Sequence, residues 1–221
     1  MLMPEATVLW PECDAPIVRG VAHYSDLELL RAFQRQPEVA RYFIGLFCRY
    51  CKWVDGILAE HLPPEQWAAY REQVWLRLYL RLQRLDVRSL LGEAAGRGDP
   101  VLQPWLAEQT RELLQALDGI PAEKEAAPSQ AVGGGGTKSS LSPALACYLS
   151  AGLDTLPGDL RFILLLRDCF GWSPARIAAQ LKADGYYLAP EDVDAIVASA
   201  RQILLQHLPA DVCALYLEAK S

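Results

Sequence analysis

The stretch from residue 156 to residue 204 constrains the fold more than any other, because helix-breaking residues divide its apolar pattern into three short segments. Apolar side chains at helical spacing precede Gly171, a residue that suits the position just after a helix C-terminus. Ser173 is followed by a proline, which gives an N-cap hydroxyl and a proline at the first helical position. Gly185 closes this second segment and Pro190 opens the third. The pattern therefore predicts a helix-turn-helix unit packed on a supporting helix.

Length and charge narrow the class of protein. The chain has 221 residues, a formal net charge of −6 and 52% hydrophobic residues, which is enough apolar material for a real core. Its acidic balance argues against a general nucleic-acid coat and against an anionic membrane surface. No apolar run reaches the roughly 18 residues that span a bilayer, and the first residues do not follow the pattern of a signal peptide. We expect a cytoplasmic protein that does not interact with membranes.

The first half of the chain is also helical by pattern. Apolar positions at helical spacing recur from Ser25 to about residue 114, and prolines or glycines interrupt them. The longest regular segment runs from Glu65 to Asp86, where apolar positions alternate with arginines that we expect on a solvated face. The predicted fold class is all-α, with two small helical domains.

A linker separates these domains. Residues 119–142 are rich in Gly, Ser, Pro and Ala and include four consecutive glycines, Gly133–Gly136, a composition typical of a flexible tether. The glycine run lacks the preceding strand and the spacing of a phosphate-binding loop. The predicted organisation is an irregular arm over 1–20, a helical domain over 21–118, and a second domain over 143–221.

Six cysteines are scattered along the chain, and we expect buried free thiols rather than disulfides. Cys48 and Cys51 have the spacing of half a zinc site, but no second pair follows and the histidines are distant. On a helix, this spacing also places both sulfur atoms on one core-facing side. Core packing is the favoured interpretation, and a zinc or redox role is the alternative.

Two adjacent tyrosines, Tyr186 and Tyr187, lie between the second and third segments of the helix-turn-helix pattern. Such side chains either stack on nucleic-acid bases or cover the apolar core. Because aromatic residues in loops beside helices usually bury their rings, we expect them to cover the core.

The C-terminal pattern resembles region 4 of bacterial sigma-70-type factors of the extracytoplasmic-function kind. In that family an LP-x-x-L-R opening leads to an apolar helix, then to G-x-S/T-x-x-x-IA-x-x-L, and then to a recognition helix. The matching positions in this chain, in the same order, are Leu156-Pro157, Leu160-Arg161, Leu164 to Arg167, Gly171, Ser173, Ile177-Ala178, Leu181, Val193 and Ala200-Arg201. The resemblance implies a DNA-binding module, with Arg176, Lys182 and Arg201 as its DNA-side residues.

The first domain resembles region 2 of the same factors. Its matching positions are Asp26, Leu29 to Phe33, Phe43, Phe47, Arg49-Tyr50, Val74 to Arg77, Leu82, Arg84 to Asp86, Trp105-Leu106, Arg111 and Leu113. In that family the long helix docks on the clamp helices of core RNA polymerase, and the last helix reads and melts the −10 promoter element. The resemblance implies polymerase-facing roles for Glu72, Gln73, Arg77 and Arg81, and promoter-side roles for Trp105, Gln109 and Arg111.

Charge leaves two functions open. The predicted recognition helix has Glu191, Asp192 and Asp194 in its first turn and Arg201 as its one cation, whereas DNA binding needs cations beside the phosphates. One hypothesis is a sigma-like initiation factor that binds core RNA polymerase and, weakly or conditionally, promoter DNA. The other is a degenerate sigma-fold module that regulates transcription through protein contacts, with an anti-sigma or other regulatory protein as a further partner.

An enzyme is not expected. The sequence shows no clustered His, Asp and Ser set, no metal-ligand quartet and no nucleotide fingerprint. We accordingly assign no catalytic residues, no metal ligands and no cofactor.

Overall fold

The computed structural model describes residues 10–88, 90, 100–118 and 141–217, and the regular secondary structure within these ranges is helical, as predicted. Two 3-10 helices, Pro11–Asp14 and Pro64–Gln66, accompany the α-helices. The α-helices are α1 Pro16–Arg19, α2 Asp26–Arg35, α3 Ala40–His61, α4 Trp67–Arg84, α5 Leu102–Asp118, α6 Pro143–Thr155, α7 Gly158–Asp168, α8 Pro174–Ala183, α9 Pro190–His207 and α10 Ala210–Tyr216. None of the described helices is both long enough and apolar enough to cross a bilayer.

The chain forms two compact units whose limits differ from the predicted domains. The described residues of the first unit are those up to 118, together with 141–148 and 209–217. The second unit comprises 149–208. The predicted linker falls outside the described residues apart from 141 and 142, as does the glycine run within it.

The C-terminal helix α10 belongs to the first unit, although the sequence led us to expect it on the C-terminal domain. Asp211 at its start is buried and accepts hydrogen bonds from the Arg41 backbone N–H and guanidinium, each at 3.0 Å. These contacts attach α10 to the first turn of α3. The sequence does not reveal this attachment because the two residues are 170 positions apart.

The N-terminal residues 10–20 are folded, and their prediction as an irregular arm was wrong. Pro11 and Pro16 each occupy the first position of a short helix, where the missing N–H and the fixed φ of proline cost nothing. Trp10 docks on the body: it is 4% exposed and packs against Phe47, with 6.1 Å between ring centroids.

Cys13 and Cys48 form a disulfide, which corrects the expectation of free thiols throughout. The bond joins the N-terminal residues to α3 across 35 positions of sequence. Cys51 remains a free, buried thiol, so Cys48 and Cys51 do not act as a pair. Helical spacing alone did not indicate this partner, because Cys13 lies outside the helix that carries the other two cysteines.

Aromatic side chains fill the core of the first unit around α3. Phe43 lies between α2 and α4, with its ring centroid 5.3 Å from that of Phe33 and 4.8 Å from that of Tyr79. Phe47 packs edge-on against Trp75 at 4.8 Å. These rings are buried as the helical spacing of α3 and α4 predicted.

Two further charged side chains of this unit, Asp26 and Arg71, are also buried. Asp26 accepts hydrogen bonds from Arg49 at 2.7 Å, from the Tyr50 hydroxyl, and from the backbone N–H of Leu102 at the start of α5. Arg71 was expected on a solvated face, but it is 7% exposed and donates to Asp55 at 2.6 Å. Both groups satisfy the rule that a buried charge needs an opposite charge and hydrogen bonds.

The second unit contains the predicted three-helix pattern. Gly171 and Gly185 have φ angles of +63° and +88°, which favour glycine, at the ends of α7 and α8. The Ser173 hydroxyl caps α8 by accepting from the Arg176 backbone N–H at 3.3 Å. The core of the second unit consists of buried apolar residues from α7, α8, α9 and the turn before α7, namely Leu156, Ile163, Leu164, Leu166, Ile177, Leu181, Val193, Val197 and Ala200.

Candidate interaction surfaces

The predicted polymerase-facing residues lie along α4. Glu72 and Gln73 are exposed near its middle, whereas Arg77 and Arg81 are partly buried toward its C-terminal end. The spacing of Gln73, Arg77 and Arg81 at i, i+4 and i+8 places them along one side of the helix. They form a polar strip beside the buried residues that face α3.

Arg81 also contacts α5, which carries the predicted promoter-side residues. Its guanidinium donates to the Gln109 side-chain oxygen and to the Glu112 carboxylate, the latter at 2.9 Å. The structure therefore brings together two residues to which the sequence resemblance assigns different partners. Both are already held by this intramolecular contact.

The remaining promoter-side residues differ in exposure. Trp105 is half-buried one turn before Gln109, and Arg111 is exposed with no ion pair among the described residues. Glu108 and Glu112 lie on the same helix. With two acids beside one free arginine, this face carries little positive charge for a phosphate backbone.

In the second unit, helix α9 corresponds to the predicted recognition helix, and its cation Arg201 is paired with a carboxylate. Arg201 of α9 forms two hydrogen bonds with Asp168, one of them at 2.9 Å from Nε to Oδ2. This contact raises the pKa of the Arg201 guanidinium above its usual value. Arg167 is similarly paired with Asp194 of α9 at 3.1 Å. Two acidic residues of the unit, Asp168 and Asp194, therefore bind two of its own arginines.

The two remaining predicted DNA-side residues lie on α8. Arg176 is exposed and its guanidinium stacks 3.8 Å above the ring of Trp172. Lys182 is exposed near the end of the helix and has no ion pair within the described part of the chain. The structure places these two cations on one helix and Arg201 on another.

The tyrosines between α8 and α9 project into solvent, and the expectation that they cover the core was wrong. Tyr186 is 69% exposed and Tyr187 is 87% exposed. Leu188 packs against the core in their place. Phe162 and Phe170 of the same unit are also exposed, so its surface carries several large apolar side chains.

Sequence reasoning missed the carboxylates that pair with the arginines. It treats Asp194 only as a residue that repels phosphate, and it assigns no role to Asp168. Asp168 lies 33 positions from Arg201, and Asp194 lies 27 positions from Arg167, so no local pattern reveals the contacts. The acidic residues at the start of α9 were the feature of the sequence that could have indicated such ion pairs.

No protein-family model and no curated protein matches this sequence.

Proposed function

We propose that this chain is a sigma-like transcription factor that binds core RNA polymerase through α4 and uses its helix-turn-helix unit for protein contacts more than for promoter DNA. The observation that carries this choice is the pairing of Arg167 and Arg201 with Asp194 and Asp168. A helix-turn-helix that reads DNA needs cations available for phosphates, and here Arg167 and Arg201 are bound to carboxylates of the same unit.

The charge of the second unit supports the same choice. Residues 149–208 contain seven Asp or Glu and five Lys or Arg. Arg161 is also paired, with Asp154 at 2.9 Å. Counterion release from DNA scales with the number of phosphates neutralised, so the two cations without a carboxylate partner among the described residues, Arg176 and Lys182, would give weak binding.

Exposed aromatic residues of the second unit support its proposed role in protein contacts. Tyr186, Tyr187, Phe162 and Phe170 present large apolar area, and aromatic residues dominate the energetics of protein interfaces. An anti-sigma or other regulatory protein is the partner that we propose for this surface. The two-domain sigma arrangement, with residues 119–142 as the tether, would let each unit find its own partner at a raised effective concentration.

Promoter binding is the second candidate, and one observation favours it. Arg176 and Lys182 are both exposed on α8, and the structure gives neither a carboxylate partner within the described ranges. A conditional DNA contact would use these two residues. The cytoplasmic location that we expect from the sequence is part of both candidates.

A titration of the full chain against core RNA polymerase tests the polymerase contact. We expect Arg77→Glu to weaken binding by about tenfold or more, because it reverses a charge on the proposed face. Arg35→Glu, the same charge change at an exposed position in the last turn of α2, is the matched control and should bind as the parent does. Absence of polymerase binding by the parent chain would reject both candidates.

A parallel titration with promoter DNA separates the candidates. We expect weak binding by the parent chain, and stronger binding with a steeper salt dependence for Asp192→Lys combined with Asp194→Lys. The pair Asp154→Lys and Asp159→Lys makes the same charge change outside α9 and controls for net charge. A sequence-specific footprint by the parent chain would establish the second candidate instead.

A further inference from the structure

The disulfide attaches a defined N-terminal segment, residues 10–22, to one side of α3. Within this segment Trp10 packs on Phe47, and the Arg71 guanidinium lies 5.7 Å from the centre of the Trp10 ring. Val21 is buried and approaches Gly45 so closely that an added Cβ there would lie 3.1 Å from its methyl carbon. The N-terminal segment therefore covers apolar surface of the first unit.

Small molecules have access to the disulfide. Cys13 and Cys48 are both partly exposed, and they line an open cavity of about 260 Å³. Arg19 and Arg49 line the same cavity, and each also pairs with an acid, Asp14 or Asp26 respectively. Cationic side chains beside a sulfur atom favour the thiolate over the thiol during exchange.

We propose that Cys13–Cys48 is a reversible thiol–disulfide exchange site for a low-molecular-weight thiol, and that its reduction releases the N-terminal segment from α3. In the first step a thiolate of the small molecule attacks one Sγ, the protein S–S bond breaks, and the other cysteine leaves as a thiolate. In the second step another small-molecule thiolate attacks the small molecule's sulfur in the mixed disulfide, that S–S bond breaks, and the remaining cysteine leaves as a thiolate; both cysteine thiolates then take up the protons that the two small-molecule thiols lost. Two thiols are oxidised to their disulfide, two electrons reduce the protein bond, and both cysteines end as thiols.

The third cysteine does not replace the external thiol. Cys51 is buried, and its Sγ contacts the Cys48 carbonyl at 3.7 Å. Burial, with the nearby Asp55 carboxylate, raises the pKa of its thiol to about 11, so it stays protonated at neutral pH. Since the attacking species in exchange is the thiolate, the reaction requires a thiol from solution.

Release of the N-terminal segment would also break its contact with Ser142, the residue that precedes α6. The buried Glu12 carboxylate accepts a hydrogen bond from the Ser142 hydroxyl, and the Tyr216 hydroxyl contacts Ser142 at 3.3 Å. Loss of the segment would expose Phe47 and the Ser142 hydroxyl together. Reduction would thereby change the surface of α3 and of the α6 N-terminal region in one step.

Amide hydrogen exchange on the oxidised full chain in glutathione redox buffers, with cysteine alkylation followed by mass spectrometry, tests the proposal. We expect Cys13 and Cys48 to become alkylated together at millimolar reduced glutathione. Exchange in residues 10–22 should then rise by about tenfold or more, while exchange in α9 stays unchanged. Resistance of the bond to glutathione, or unchanged protection of the segment after reduction, would overturn the proposal.

Two cysteine variants complete the experiment. Cys51→Ser should respond to glutathione as the parent does. Cys13→Ser should show rapid exchange in residues 10–22 without any thiol. A parent-like, protected segment in folded Cys13→Ser would also contradict the proposal, and if that variant fails to fold, the titration of the parent chain decides.

Discussion

Asp26 holds three elements together at a single carboxylate. It is 1% exposed and accepts from Arg49 and Tyr50 of α3 and from the first N–H of α5. Asp26→Ala removes the buried acceptor of these three hydrogen bonds, one of them from a charged donor, so we expect a loss of about 3–5 kcal/mol in the free energy of unfolding, measured by urea denaturation. Asp14→Ala is the control, because both members of its ion pair with Arg19 are largely exposed, and it should cost less than about 1 kcal/mol. Equal effects of the two changes would contradict this role for Asp26.

The capping box at the start of α2 makes stability depend on pH. The Ser25 backbone N–H donates to the Glu28 carboxylate at 2.7 Å and lowers the pKa of Glu28 below its usual 4.5. A carboxylate with a lowered pKa in the folded state stabilises the fold above its unfolded pKa and loses that effect as pH falls through the folded value.

We therefore expect the parent chain to lose more stability than Glu28→Gln as the pH falls from neutral to below 4.5. Urea denaturation of both proteins at a series of pH values measures the difference. Parallel pH profiles would show that this cap makes no pH-dependent contribution.

At the scale of elements, α3 contains two glycines in different surroundings. A Cβ added at Gly56 would meet nothing within 4 Å, whereas one at Gly45 would lie 3.1 Å from Val21 of the N-terminal segment. Because glycine in a helix interior is less favourable than alanine, we expect Gly56→Ala to stabilise the protein by about 0.5–1 kcal/mol. Gly45→Ala should increase the stability of the protein by less than Gly56→Ala does, or should decrease it. Thermal and urea denaturation measure both, and equal gains would show that Val21 does not pack closely there.

At the scale of the whole molecule, the disulfide restricts the unfolded chain. It joins positions 35 residues apart, and closing a loop of that length removes entropy from the unfolded state worth about 3–4 kcal/mol in the chain-entropy description. We expect reduction to lower the free energy of unfolding by about this amount in urea denaturation of oxidised and reduced protein. The same reductant should not change Cys13→Ser. A reduced protein as stable as the oxidised one would contradict this expectation.

The helices and their ends were predictable, because their signals are local. Gly171 and Gly185 mark turns since the backbone there has positive φ, and the Ser173 hydroxyl caps α8 by contacting a residue only three positions on. The inward-facing rings of α3 and α4 followed from helical spacing. At the candidate surfaces, Glu72 and Gln73 are exposed, and their polymerase-facing role stays a prediction.

Contacts between distant residues were not predictable in this way. The pairs Cys13–Cys48, Arg41–Asp211 and Arg201–Asp168 each join elements that no periodic pattern relates. The exposure of Tyr187 was also missed, because Leu188 and not the tyrosines fills the core at that turn. Which residue fills a cavity depends on the shape of the opposing surface, and that shape does not appear in a local pattern.

The sequence by itself determined that this chain is helical and where most of its helices begin and end, since helix formation depends on residues within one or two turns of each other. Only the tertiary structure decided that the N-terminal segment and α10 complete the first unit and that Arg167 and Arg201 of the second unit are neutralised. Hydrogen bonds and ion pairs require atoms to lie within about 3 Å, and for distant residues only the packed fold sets that separation.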